Sequence, residues 1–467
     1  MASRRQQWWP YLVVFLLAAL PAANTLIPTV EHDTWWHLRI GKFIADTGTV
    51  PQTDPISRIG QDENVPWRAY SWLYEWAIYQ VHAVGGVTGI MWFRTLLAAG
   101  STGAVFAFIF RRSGLTPTGL MVAAGVVVLV MPMAPERPWH VTIAFTTMTL
   151  WATIALRDGM PARRAWWLIP LFALWANLHI QYVLGWGVLG LACLFPGQAS
   201  RRQLSVLLVG TVLATIANPY HVHLFEVIWE YATQAAPRSL VQELSAPDLA
   251  SRWTVAVASL IVWAVVKWFG RRPVDGFELG LLLAGAFLAS RMYRDLWFGA
   301  LAAAAVIRDA GEESVPRPRT RTIVGIVFAA FLLLRILNSV GLLADTDYAA
   351  AHAKKYPVHA AAFLRETRPP GPIFNDFDWG GYLAWELPEY PVSFDGRTNL
   401  YGNERMTQSY QTWSVEDGWK TDPDLRVANV VLAQKGRLFE TTLREQSDRW
   451  RLIFEDDIST VFQRTAP

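Results

Sequence analysis

The chain has 467 residues, 52% of them apolar and only 17% charged, with 24 tryptophans, one cysteine and a net charge of +3. This composition excludes a secreted disulfide scaffold, a disordered chain and a cytosolic enzyme of the same size. The charge is unevenly spread: residues 344–467 carry 14 basic and 19 acidic side chains, net −5, whereas residues 1–343 carry 27 and 19, net +8. The pattern predicts a mainly α, polytopic helical membrane domain over 1–343 and a soluble extracytoplasmic α/β domain over 344–467.

Apolar runs fall at about 11–28, 88–110, 118–132, 141–156, 166–176, 180–195, 204–217, 254–269, 277–290, 296–308 and 322–343. Several are shorter than the roughly 20 residues of a straight span, so some helices are expected to start inside the protein. Basic residues mark cytoplasmic turns: Arg4/Arg5, Arg111/Arg112, Arg157 with Arg163/Arg164, Arg201/Arg202, Arg271/Arg272, and Arg308 with Arg317, Arg319 and Arg321. Together they predict about eleven spans in a bacterial inner membrane, with the N-terminus cytoplasmic and the C-terminal domain outside. The first run is read as an uncleaved span rather than a signal peptide, because it continues to Pro28. Residues 70–84 are read as an interfacial helix on the outer surface, since a span there would put Arg111/Arg112 and Arg163/Arg164 outside. Residues 166–195 read as a hairpin turning outside at Asn177-Leu178-His179. Gly185-x-Gly187-x-x-Gly190 lies inside an apolar helix with no preceding strand, so close helix packing is the reading preferred to dinucleotide binding. Cys193 lies in an apolar run and staples nothing.

The first outer loop, 31–87, opens with Glu31-His32-Asp33-Thr34-Trp35-Trp36-His37-Leu38-Arg39. Trp36, Ile40, Phe43 and Ile44 follow at helical spacing, which predicts an amphipathic interfacial helix with Asp33 at its N-cap. Two readings stand here. Asp33 caps and the tryptophans anchor, or Asp33 is a carboxylate held where a lipid head group and a water-side acceptor meet. Asn177, His179 and Gln181 at the hairpin tip either face water or join a site. His221 and His223 either hydrogen-bond or hold a metal, in a loop that also has Glu226, Glu230, Glu243 and Asp248. Arg291, Arg294 and Asp295 crowd a very short connection, as a snorkelling ion pair or as guanidinium groups that grip a lipid phosphate. Asp33, Glu136, Asn177/His179, His221, Arg291/Arg294 and Asp378 all fall on one face of the expected topology, while mid-helix positions are nearly all apolar; a transporter would carry ionisable groups through the midplane.

Beyond 344, strands are expected at Pro372–Asn375, Pro391–Phe394, Val427–Ala433, Arg451–Glu455 and Ser459–Gln463. Helices are expected near 348–366, 379–386, 402–412 and 436–446. Trp379, Tyr382, Trp385 and Tyr401 form either a ligand-stacking platform or the core.

Glu31-x-Asp33-x-Trp35-Trp36-x-x-Arg39, with Gly48 and Asp54, resembles the first outer loop of oligosaccharyltransferase catalytic subunits, members of the GT-C superfamily of polyprenyl-linked sugar transferases. Met131-Pro132-Met133-Ala134-Pro135-Glu136-Arg137-Pro138 takes the place of that family's second acidic loop, with one acid where the family has a pair. Asp376-Phe377-Asp378-Trp379-Gly380-Gly381-Tyr382 is similar to the family's Trp-Trp-Asp-Tyr-Gly acceptor motif, and Asp395-Gly396-Arg397 and Tyr401 follow. The chain also looks like a set of bacterial GT-C membrane proteins that share Asp-x-Trp-Trp-His-Leu-Arg near the start and Asp-Trp-Gly-Gly-Tyr-Leu near the end.

The resemblance implies a glycosyltransferase that moves a sugar from a polyprenyl-phosphate or polyprenyl-diphosphate carrier to an acceptor protein, glycan or lipid, with no nucleic-acid partner. Asp33, with Glu31 and Glu136, is the expected catalytic set. Arg291, Arg294, Arg137 and Arg39 are the expected phosphate ligands. Asp378, Trp379, Tyr382, Asp395 and Arg397, with Asn177 and His179, are expected to contact acceptor or sugar. A divalent metal, Mg or Mn, would fall to Glu136, His221 and His223. The competing readings are a lipid-linked glycan transporter or flippase, and a non-catalytic envelope assembly protein.

Overall fold

The computed structural model describes residues 18, 19, 31–114, 116–130, 136–270, 274–308 and 345–465. The first expected span with Arg4/Arg5, residues 131–135, Arg271/Arg272, Arg317, Arg319, Arg321 and the run 322–343 lie outside them. The chain divides into two compact units. The first comprises residues 1–27, 91–222 and 242–341, and the second 28–90, 223–241 and 342–467. The expected division at 343/344 placed the first outer loop with the membrane half, whereas the structure groups 28–90 with the C-terminal residues.

The first unit is helical. Among the described residues three helices are long and apolar enough to cross a membrane: Trp72–Ser113, Trp139–Arg157 and Arg252–Phe269. Trp72–Ser113 runs through both the expected interfacial segment and the following span, but Gly86 breaks it with φ 57° and ψ −152°, a conformation that an L side chain resists. In Trp139–Arg157, Thr142, Thr146, Thr149 and Thr153 recur at helical spacing and are buried. Thr149 and Thr153 satisfy their hydroxyls on the carbonyls four residues back, at 2.8 Å each, whereas the buried Thr146 hydroxyl has no hydrogen-bond partner among the described residues. Gly276–Arg291 packs on Leu296–Val306 through small residues. A Cβ at Gly285 would lie 2.7 Å from that of Ala302, and one at Gly299 would lie 2.9 Å from that of Ala289. This is how apolar helices approach closely where no hydrophobic drive separates lipid from protein. Of the glycines 185, 187 and 190, only Gly185 packs closely, against Phe172 and Trp175; a Cβ at Gly187 or Gly190 would meet nothing within 4 Å.

The second unit is built on a four-stranded sheet of β1 (Ile373–Asn375), β2 (Val430–Gln434), β3 (Trp450–Glu455) and β4 (Ser459–Arg464), in the order β1-β2-β4-β3. β1 and β2 are parallel, and β4 is antiparallel to both β2 and β3. Phe374, Val431, Phe439, Leu443, Trp450 and Phe462 form one core cluster, with Trp413 stacked on Phe374 at 5.3 Å. Residues 391–394 do not join the sheet; Val392 instead makes a single bridge to Ser57. The expected helix 348–366 is two, Asp345–Lys355 and Val358–Thr367, because Pro357 supplies no backbone donor at the junction.

Candidate functional site

Each unit presents its own cluster of the residues singled out from the sequence.

In the second unit, the helix His32–Thr47 starts at Glu31, whose carboxylate accepts from the Asp33 backbone N–H at 3.0 Å. Glu31 is therefore the N-cap, not Asp33 as the spacing suggested. The acid pair splits its tasks: Glu31 satisfies an orphan donor, and Asp33 sits in the first turn, where the helix dipole favours a negative charge. The helix Phe377–Glu386 packs on this helix, with Asp376 as its own cap. Two glycines permit the approach. A Cβ at Gly381 would lie 2.9 Å from the His32 carbonyl oxygen, and one at Gly380 would overlap the Phe394 carbonyl oxygen. The next glycine of the motif region, Gly396, lies against Asp33: a Cβ there would overlap Oδ1 and stand 3.1 Å from Trp36 Nε1. His32 Nδ1 lies 2.7 Å from the Asp378 carbonyl oxygen. Thus two motifs some 345 residues apart pack directly on one another, and Asp33 is seated where they meet.

Beneath that seat is a buried ion triad. Arg397 donates from Nε and Nη2 to Asp395, at 2.9 and 2.7 Å, and from Nη1 to Asp54. Its guanidinium lies 4.7 Å from the centre of the Trp67 ring. All three side chains are fully buried. Burial pushes the Asp54 carboxyl up, but the charge and hydrogen bond of Arg397, with bonds from Ser57 and the Ile56 N–H, hold it below the usual carboxylate range. Asp395 and Arg397 therefore anchor the loop rather than touch an acceptor, which corrects the expectation for both. Trp379 and Tyr382 are core residues, 3% and 2% exposed. Trp379 donates its indole N–H to the Lys355 carbonyl, and Tyr382 packs among Trp35, His352 and Tyr356. Their flanking sequence is right for the site, but their rings face inward because a helix that docks through glycines buries its neighbours. Asp378 stays exposed. Arg39 follows Asp33 by six residues, which puts it roughly 120° away around the helix.

Burial, reinforced by the neighbouring Asp378 carboxylate, raises Asp376 to about 7. A folded value above the unfolded one favours the protonated native state, so the stability from Asp376 is present below about pH 4 and is lost as pH rises through 7. Asp376→Asn retains a good cap. It is expected to raise the thermal midpoint by a few degrees at pH 8 and leave it unchanged at pH 4, as differential scanning fluorimetry would show.

In the first unit, the turns between helices carry the second cluster. His179 breaks the hairpin in an extended conformation between Leu168–Leu178 and Val183–Leu194, and its Nδ1 lies 2.7 Å from Thr142 Oγ1. Burial, with the positive charges of Arg294 and Arg137 adding, holds its imidazole down to about 3. Those two guanidinium groups are therefore within electrostatic reach of a neutral histidine. Arg137 pairs with Glu243 at 2.7 Å, and the Arg294 backbone N–H donates to the Glu243 carbonyl at 3.1 Å. Asp295 accepts from Gln181 Nε2 at 3.2 Å, and Arg291 ends the helix Gly276–Arg291. Arg137, His179, Gln181, Arg294 and Asp295 thus gather around the turns of this unit. Asn177 instead ties its own turn to the Ala217 carbonyl at 2.8 Å.

Glu136 is 1% exposed and pairs with Arg94 from the helix Trp72–Ser113. It is neutralised in place rather than open to a reactant. Arg94 was missed because periodicity absorbed it into an apolar run. A cation in such a run is costly unless paired, and that is the signal that points to it. Glu75, buried and 3.3 Å from His37, was missed in the same way. His221 and His223 are exposed, and His223 pairs with Glu226 at 2.6 Å. Among the described residues no three His, Cys, Asp or Glu side chains gather as a metal site. Glu136, His221 and His223, the expected ligands of an Mg or Mn ion, are therefore not gathered as one such group.

No protein-family model matches the chain, and no curated protein matches it in sequence. Its fold does match. The archaeal oligosaccharyltransferase AglB from Archaeoglobus fulgidus, solved with an inhibitory peptide and a dolichol-phosphate, superposes with a TM-score of 0.58 at 11% identity, over 93% of this chain and 70% of that one. ArnT from Cupriavidus metallidurans, solved with undecaprenyl phosphate, gives a TM-score of 0.49 at 13% identity, over 98% of both chains. The chain has the GT-C fold.

Proposed function

We propose that, on this GT-C fold, the chain transfers a sugar from a polyprenyl-phosphate or polyprenyl-diphosphate carrier to an acceptor at the outer face of the membrane. One observation carries the reading: Glu31 takes over the cap and Gly396 seats the Asp33 carboxylate, so a sequence-remote loop is shaped around one acid. A carboxylate spared from capping and held by close packing is what a general base needs.

In the proposed reaction an acceptor hydroxyl or amine attacks the anomeric carbon. The bond from that carbon to the phosphate oxygen breaks, and the phosphate leaves with the electron pair. The acceptor proton passes to Asp33. In the first unit, considered by itself, Arg294 and Arg137 are planar charged donors of the kind that suits a lipid phosphate. The neutral His179 adds a hydrogen-bonding group without competing for the anion, and Arg291 contributes positive charge at its helix end. Exposed Asp378 is the residue of the C-terminal motif that remains placed to meet an acceptor. No step uses a metal. AglB was solved with a dolichol-phosphate, which supports a lipid-borne donor for this chain.

Asp33→Asn keeps size and hydrogen bonding but removes the base. In a strain lacking the native copy, transfer of radiolabelled sugar from the membrane lipid pool is expected to fall by about 10²–10⁴-fold. Transfer at the wild-type rate would remove Asp33 from the mechanism.

A further inference from the structure

Arg111 and Arg112 end the same helix, yet the fold uses them differently. Arg112 turns inward: its Nη2 donates to the Ala305 carbonyl at 2.8 Å and lies 3.5 Å from Glu278. Arg111 is exposed, with its guanidinium 5.3 Å over the Trp151 ring, and no carboxylate pairs with it among the described residues. It borders a cavity of about 290 Å³ lined otherwise by Ala104, Ala107, Phe108, Met148, Trp151 and Trp167, with Thr147 as the one other polar residue. Ala104 and Ala107, one turn apart, leave a trough beside Phe108. Trp166, 61% exposed, and the exposed pair Arg163/Arg164 immediately precede Trp167.

This is the layout of an amphiphile site: a channel for a hydrocarbon chain that ends at a cation backed by an aromatic ring. Indoles and arginines collect where head groups meet hydrocarbon. A guanidinium is weakly hydrated and matches phosphate oxygens with two parallel donors, and stacking on the indole keeps it at the trough. A zwitterionic lipid would gain the chain contact but little net charge interaction. A methyl-branched isoprenoid chain is wider than a polymethylene chain and fits an alanine-floored trough less well.

We propose that this trough binds an anionic glycerophospholipid of the surrounding bilayer, with an acyl chain along Ala104, Ala107 and Met148 and its phosphate on Arg111. The site is independent of the transfer reaction. An anionic head group beside one basic residue gains about 1 kcal/mol, a roughly fivefold preference over a neutral lipid.

The full chain, purified in detergent, would be titrated with phosphatidylglycerol and with phosphatidylcholine and read by native mass spectrometry. Wild type is expected to prefer phosphatidylglycerol about fivefold. Arg111→Gln, at an exposed position, is expected to abolish the preference while its thermal midpoint stays at the wild-type value. Ala107→Trp, which fills the trough, is expected to remove the retained adduct of either lipid. The proposal is overturned if Arg111→Gln keeps the preference, or if only the double variant Arg163→Gln/Arg164→Gln loses it. It is overturned equally if undecaprenyl phosphate displaces phosphatidylglycerol from wild type at a tenth of its concentration.

Discussion

Arg397→Met is expected to destabilise the second unit by about 3–5 kcal/mol, the cost of breaking a buried charge network by removing one partner. Arg397 serves two carboxylates, Asp54 and Asp395, neither of which reaches solvent. Methionine fills much of the space but leaves two like charges facing each other without a counter-ion. The pH dependence separates this from simple loss of packing. In the wild type, Asp54 is held below its usual range, so its contribution is present at neutral pH and is lost as the pH falls through the folded value. In the variant the sign reverses for Asp54, because protonation then relieves an uncompensated charge, and the deficit shrinks towards acid. Urea denaturation at pH 5 and pH 8 checks this. The triple variant Asp54→Asn/Asp395→Asn/Arg397→Met should recover much of the loss, since the penalty lies in unpaired charge. A loss that is equal at both pH values would show that packing, not charge, holds the loop.

Gly396→Ala is expected to abolish transfer nearly as fully as Asp33→Asn while leaving stability close to wild type. The new methyl group would overlap the end of the Asp33 side chain, a side chain rather than backbone, so the carboxylate is displaced from its seat while the main chain stays in place. Gly380→Ala is the contrast: its Cβ would meet the Phe394 backbone carbonyl, which cannot move without shifting the loop, so a loss of about 1–3 kcal/mol is expected there. Two glycines of one joint thus separate into a functional and a structural position. Because Gly396→Ala acts through Asp33, the double variant Asp33→Asn/Gly396→Ala should transfer no more slowly than Asp33→Asn alone. Additive losses would mean that Gly396 affects the reaction by another route. A shared thermal midpoint for wild type and Gly396→Ala completes the measurement.

Much of the site was legible before the fold was known, and for local reasons. The Glu31–Arg39 segment could be read because a helix start has a signature within one turn, and because charged residues beside an apolar run are costly unless capped, paired or used. His179 and Arg294 could be grouped because alternating basic turns assign loops to the faces of the expected topology, which puts both on one of them. The same locality explains the errors. Spacing does not say which of two acids in the first turn becomes the cap, and Glu31 won over Asp33 through the backbone angles at the helix entry. Composition does not say whether an aromatic of a motif faces a ligand or the core, and Trp379 and Tyr382 were claimed by packing.

The amino-acid sequence alone determined the mainly helical class, the charge asymmetry between the two parts of the chain, and the identity of the acids and bases worth testing. These follow from composition, period and capping, all decided within a few turns of chain. Tertiary structure alone decided that Asp54 and Arg397, 343 residues apart, form a single buried network, that Glu136 is neutralised by Arg94, and that Gly396 shapes the seat of Asp33. Each depends on which surfaces meet, and a burial or pairing energy has no value until the partner that supplies it is in place.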